Sequence, residues 1–167
     1  MSENTKNADN FLYSIIIVSL LGLLNALYLF YMDITNSYSC PLTGGIFDCE
    51  SVGTSEYAKM FGIPVSLFGV FFFILLLILT FLKLYEVKWQ FLDTYLLGFY
   101  LPFLTLFGVL FSTYLTLIEI FVLQLFCEFC LLSALITVIL FLLVILTKYR
   151  EYGSLFVHLC FWKGFSR

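Results

Sequence analysis

The chain has 167 residues, of which 62% are hydrophobic, 20% aromatic and only 11% charged, with a formal net charge of −3. Charged residues make up about a quarter of an ordinary soluble domain, so this composition excludes one, and with a slightly acidic balance no nucleic-acid partner is expected. What remains is an integral membrane protein.

A hydrocarbon core about 30 Å thick takes roughly 20 apolar residues per helix. The first such run, Phe11 to Tyr31, is too long for a cleaved leader and lacks a small-residue cleavage site, so it is expected to stay as a helix. A polar loop from Asp33 to Pro64 separates it from the second run, Val65 to Leu82. The stretch from Tyr95 to Thr147 is too long for one span and is interrupted only at Glu119, Gln124 and Glu128. It divides into Phe91 to about Glu119 and about Cys127 to Thr147, around a turn at 120–126. The expected fold is an all-α bundle of four transmembrane helices forming one domain over 11–147, with a short helix in the 33–64 loop and tails at 1–10 and 148–167. Asn25, costly in lipid, is expected to bond a neighbouring helix, and Pro102 to kink the third span. Gly62 is expected to end the short outer helix, with Pro64 in the first turn of the second span.

Lys and Arg accumulate in cytoplasmic segments of membrane proteins. Here Lys6, Lys83, Lys88, Lys148, Arg150, Lys163 and Arg167 belong to the tails and the loop between the second and third spans, and Lys59 stands alone on the other side. Both chain ends are therefore expected in the cytoplasm, with the 33–64 loop and the 120–126 turn facing outward from an inner (cytoplasmic) membrane. Four of the five cysteines, Cys40, Cys49, Cys127 and Cys130, then share the outer face, where disulfides persist. Cys160 falls in the cytoplasmic tail and is expected to stay reduced.

The Cys127-Glu128-Phe129-Cys130 motif opens the fourth span, placing its sulfurs at i and i+3 on one helical face. Unpaired amides and the macrodipole at a helix N-terminus favour thiolate over thiol, and the Glu128 carboxylate opposes them. By itself the motif fits a redox pair or two buried free cysteines. Cys40 and Cys49 flank the turn-rich Pro41-Leu42-Thr43-Gly44-Gly45, which can bring them together as a structural staple or as a second redox pair. Two pairs on one membrane face favour exchange, which needs only contact and a leaving sulfur.

Cys49-Glu50-Ser51-Val52-Gly53-Thr54-Ser55-Glu56-Tyr57, then Gly62-Ile63-Pro64-Val65-Ser66-Leu67-Phe68-Gly69, then Cys127-x-x-Cys130, resembles the vitamin K epoxide reductase family in its prokaryotic form. The resemblance runs from Phe11 to Thr147, and the order matches: a widely spaced loop pair first, the C-x-x-C opening the last helix. It implies an oxidoreductase working as a disulfide relay between a separate thioredoxin-fold thiol oxidant and a membrane quinone, ubiquinone or menaquinone, in support of disulfide bond formation. On this likeness Cys40 meets the partner, Cys49 exchanges with Cys127, and Cys130 faces the quinone. Ser55 matches a family serine beside the relay, and it equally suits the N-cap of a short helix over Glu56 to Phe61. Phe68, Phe72, Phe111 and Tyr114, with Phe71, Phe103 and Phe107, are candidates for an aromatic quinone pocket.

Two positions depart from the animal members: Ala134 stands where they carry a tyrosine, and Val65 where they carry an asparagine. Reduction of vitamin K epoxide is therefore not expected. No fused thioredoxin-like domain is expected after Thr147, so the partner is a separate protein, and the bundle is expected to act as a monomer. The competing reading is a non-catalytic membrane protein with a four-cysteine zinc site or structural disulfides; four thiolates suit tetrahedral zinc, but there is no second close-spaced pair and His158 falls on the cytoplasmic side.

Overall fold

The computed structural model describes residues 2–38, 47–60, 62–84 and 94–164, with side chains described over 10–38, 47–60, 62–84 and 99–149. Among the described residues five α-helices carry the fold: α1 (Ser2–Thr35), α2 (Cys49–Gly53), α3 (Val65–Leu84), α4 (Thr94–Ile118) and α5 (Glu128–Gly164). Four of them contain windows long and apolar enough to cross a membrane, at Asn10–Thr35, Val65–Leu84, Phe99–Leu123 and Glu128–Tyr149. The four-span bundle expected from the hydrophobic runs is the observed architecture, and helix α5 continues through the residues expected to form a tail. Helix α1 packs against α3 and α5, and α4 against α5.

Residues that are apolar nearly all round a helix cannot be sorted into core and lipid faces by composition, so packing decides. Leu12, Ile15, Ala26, Val70, Phe73, Leu76, Leu101, Ile136, Leu140 and Val144 form the main core. Polar side chains buried among them are mostly hydroxyls satisfied within their own helix: Thr80, Thr105, Thr137 and Thr147 donate to the carbonyl oxygens of Leu76, Leu101, Ser133 and Leu143. Back-bonding to i−4 lets a helix keep such residues in lipid without an orphaned donor. Asn25 makes the expected interhelical link, its Nδ2 donating to Phe129 O at 3.0 Å and Ser133 Oγ at 2.6 Å. These bonds pin α1 to the first turns of α5, beside the C-x-x-C. Pro102 lies within α4, which runs through it without a break.

The segment between α1 and α3 differs from expectation in one respect. A single 3-10 turn at Glu56–Ala58 leads into β1 (Lys59–Met60), which pairs antiparallel with β2 (Ile63–Pro64). Gly62 is therefore a hairpin residue, at φ +81, rather than a helix cap, and Pro64 pairs with Lys59 immediately before α3. The physical reason is that glycine supplies a left-handed turn residue to a tight hairpin as readily as to a helix end.

Candidate redox site

The loop carrying Cys49 and the turn carrying Cys127 meet at one end of the bundle. Phe47 bridges to Phe126, with Asp48 N donating to Phe126 O at 3.2 Å, and the two phenylalanine rings lie 6.1 Å apart. Asp48 then N-caps α2: its carboxylate accepts from Ser51 N at 3.0 Å and Ser51 Oγ at 2.7 Å. Those bonds, the hydroxyl's first, hold the Asp48 carboxyl below its ordinary range. The capped helix presents Cys49 and Val52 inward, where they form a small core with Cys127, lined by Leu29, Leu123, Leu125, Phe129 and Cys130. Cys49 and Cys127 are 4% and 3% exposed, so any exchange between them proceeds away from water.

Cys49 is disulfide-bonded, whereas Cys127 and Cys130 are free thiols. Cys40, and with it the expected entry point of the relay, lies outside the described residues. Cys127 occupies the N-cap position of α5, with Leu131 N donating to its carbonyl at 3.0 Å. Its thiol ionises more readily than an ordinary cysteine, mainly because the Cys130 thiol donates to it and further because the amides of Cys130 and Phe129 do, against the opposing effects of burial and of Glu119. The amides of the α5 N-terminus are thus the smaller part of that balance. The carboxylate set against them is that of Glu119.

Glu119 begins a π-helical turn, Glu119–Leu123, that ends α4, and Gln124 follows in the left-handed region at φ 54. The wide turn carries the Glu119 side chain inside, where it is 4% exposed. Its Oε2 accepts from Cys127 N at 3.3 Å, and its carboxyl lies within hydrogen-bonding reach of the Cys130 thiol. In the sequence Glu119 stands out only as a break in the apolar stretch from Tyr95 to Thr147. The signal that could have found it is its position in an otherwise apolar run, since a carboxyl at membrane depth is costly and marks a functional site by default.

Asp33 and Tyr38 were missed as well. Tyr38 OH donates to Asp33 Oδ1 at 3.0 Å and Gly53 O at 3.2 Å, while Ser66 Oγ donates to Asp33 Oδ2. The end of α1, the end of α2 and the start of α3 are thereby tied around one carboxylate. Burial, then the bond to Asp33, pushes the Tyr38 hydroxyl up to about 12, so it remains a donor throughout the physiological range and faces Cys127 uncharged. A Cβ on Gly53 would meet the Tyr38 ring at 2.3 Å. Gly53→Ala is accordingly expected to push the ring off Asp33 and cost about 1–3 kcal/mol of stability, read by thermal unfolding in detergent. An unchanged transition would mean that the ring is not held there.

Ser55 stands at the N-cap position of the 3-10 turn but makes no capping bond; its hydroxyl donates to Val52 O at 2.7 Å, tying the turn to the inward face of α2. The aromatic candidates divide. Phe72 packs against the bundle core, its ring 5.2 Å from that of Phe73. Phe68, Phe71, Phe103, Phe107 and Tyr114 are exposed, on the surface that a bilayer would cover, and Phe111 is half-buried with its ring stacked on Phe107 at 6.4 Å. A groove of about 150 Å³ opens between α4 and α5, lined by Val109, Ser112, Thr113, Thr116, Leu117, Ala134 and Val138. Ala134 lies one helical turn beyond Cys130, so the groove approaches the dithiol.

Four membrane-crossing helices with a disulfide and a dithiol packed at one end define a membrane thiol–disulfide oxidoreductase. The Vitamin K epoxide reductase family model matches residues 13–145, and the chain belongs to that family, whose members are in general linked to quinones and to thioredoxin-like partners. A search of the curated proteins finds no match.

Proposed function

We propose that the protein re-oxidises a separate thioredoxin-fold thiol oxidant and passes the electrons through Cys40 and Cys49, then Cys127 and Cys130, to a membrane quinone, so supporting disulfide bond formation. The observation that carries this reading is the burial of disulfide-bonded Cys49 and free Cys127 in one cluster. A lowered thiol beside a disulfide sulfur is the arrangement that exchange requires. A zinc site built from the four cysteines is disfavoured, because a cysteine in a disulfide is not a thiolate ligand.

Cys40 is the residue that meets the folded partner, Cys49 bonds to and releases Cys127, and Cys130 is the last sulfur before the acceptor. Ser55 holds the turn that follows α2, beside the relay. The α4–α5 groove suits a quinone: it is apolar, its Thr113 and Thr116 hydroxyls are already bonded within α4, and it lies a turn from Cys130. A quinone bound there supplies the two-electron acceptor. Ala134 keeps that groove open, and together with Val65 it argues against vitamin K epoxide as substrate. Orientation follows the basic residues: chain ends in the cytoplasm, cysteine pairs outside.

Vesicles of defined orientation test activity and sidedness together. A reduced thioredoxin-fold donor added to right-side-out vesicles is expected to reduce a soluble quinone analogue, and the same donor added to inside-out vesicles is not. Turnover only from the inside-out face would reverse the orientation, and turnover from neither would remove the quinone reading.

A further inference from the structure

The Cys130 thiol sits between two acceptors. It donates to the Cys127 sulfur, and the Glu119 carboxyl lies within its reach from the other side. Glu119 is closed off from water, and its backbone anchor is the Cys127 amide. Burying a carboxyl at the end of a membrane span is costly, and no arginine or lysine partner is present for it among the described interactions. A buried carboxyl touching both members of a dithiol has one evident use, because every opening or closing of the Cys127–Cys130 bond moves a proton on or off the Cys130 sulfur beside it.

We propose that Glu119 is the proton-transfer group of the C-x-x-C pair, supplying a proton to Cys130 when the pair is reduced and taking it back when the pair is oxidised. The direction of flow rests on the relay proposed above. In reduction the Cys49 thiolate bonds to the Cys127 sulfur, the Cys127–Cys130 bond breaks with its electron pair on Cys130, and the Glu119 carboxyl protonates that sulfur; Cys40 of the proposed relay then closes on Cys49 and releases Cys127, which leaves the dithiol. In re-oxidation the Cys127–Cys130 bond forms, two electrons leave for the quinone, and two protons leave the dithiol, that of Cys130 through the Glu119 carboxylate and that of Cys127 from its own thiol. Atoms and electrons balance as dithiol plus quinone to disulfide plus hydroquinone.

The groups facing this site are few. Cys127 caps α5 and Cys130 lies in its first turn, Asp33 comes from α1 and its partner, the uncharged Tyr38 hydroxyl, from just beyond it, and disulfide-bonded Cys49 from α2. Glu128 stands in the first turn of α5 with its buried Oε1 unbonded among the described residues. None of the described groups near Glu119 is a competing cation.

The test uses Glu119→Gln, which keeps the shape and the acceptor for Cys127 N but cannot carry the proton, with Glu119→Asp as the conservative variant. Removing the negative charge makes the Cys127 thiolate easier to form, so iodoacetamide is expected to alkylate Cys127 of the fully reduced variant faster at neutral pH, with the rate profile moved to lower pH. A small aromatic disulfide added to reduced protein forms a mixed disulfide at Cys127, which Cys130 then resolves. Its lifetime is expected to lengthen by about 100-fold in Glu119→Gln, the usual worth of a positioned base, and to be partly restored in Glu119→Asp. The opposite signs are decisive, since lost packing would slow alkylation and resolution together. Parallel slowing, faster alkylation with unchanged resolution, or no change in either overturns the proposal. Neither readout involves a quinone, so wild-type protein that resolves the mixed disulfide but leaves a quinone analogue unreduced would defeat the relay reading and leave the role of Glu119 to be decided on the lifetimes.

Discussion

Cys130→Ala is expected to abolish quinone-dependent turnover and to accumulate a disulfide between Cys49 and Cys127. The two sulfurs share one buried cluster, and Cys130 is the group placed to displace Cys49 from Cys127 by re-forming the C-x-x-C bond. Without it the mixed disulfide can be resolved only from the loop side, and electrons have no onward path. Turnover should fall by on the order of 10³-fold or more, as for removal of any indispensable nucleophile. Peptide mapping under non-reducing conditions reads the connectivity, and Cys40 joined to Cys127 would overturn the assigned roles. The same variant has a pH signature. Donation from the Cys130 thiol is the largest of the effects lowering the Cys127 thiol, so its loss moves Cys127 ionisation upward. In fully reduced Cys130→Ala protein, the alkylation profile of Cys127 is therefore expected to shift to higher pH, opposite to the shift expected for Glu119→Gln.

The sequence speaks clearly where one physical constraint dominates. Span length against bilayer thickness gave four helices, because an apolar run near 20 residues has few other uses. The order of the cysteines pointed to a thiol–disulfide oxidoreductase, since a loop pair followed by a helix-opening C-x-x-C is a pattern of covalent chemistry, and chemistry of that kind is written in residue type. Asn25 was legible for the same reason: a lone amide in lipid needs a partner, and Phe129 O and Ser133 Oγ supply it.

Direction of side chains was not legible. In helices apolar on every face, spacing cannot tell a core phenylalanine from one on the outer surface, so Phe72 and Phe71 read alike although one packs inward and the other is 62% exposed. The inward position of Glu119 comes from backbone geometry. A regular helix continued to that point gives no reason to turn its side chain toward Cys127, whereas the π-helical turn does. Such turns are frequent at functional sites, but nothing in the residue pattern Glu119-Ile120-Phe121-Val122-Leu123 announces one. Tyr38 and Asp33 escaped because their partnership closes through Gly53 and Ser66, residues distant in sequence.

Cys49→Ala separates the two halves of the relay. Steady-state turnover driven by a thioredoxin-fold donor is expected to fall by on the order of 10³-fold or more, because Cys49 is the loop sulfur buried against Cys127 and no other described sulfur bridges that gap. The Cys127–Cys130 dithiol itself is untouched by the substitution. Once reduced chemically and freed of reductant, the variant should therefore still deliver one pair of electrons per chain to a soluble quinone analogue, at a rate near that of wild type, and then stop. Single-turnover stopped-flow measurement reads that burst, and alkylation before and after it counts the two thiols consumed. A lost burst would place Cys49 in the quinone step, and retained steady-state turnover would mean that the partner reaches Cys127 directly. The buried position of Cys127, 3% exposed beneath α2, argues against direct access, since a folded donor cannot bring its own thiolate to a sulfur that the loop covers.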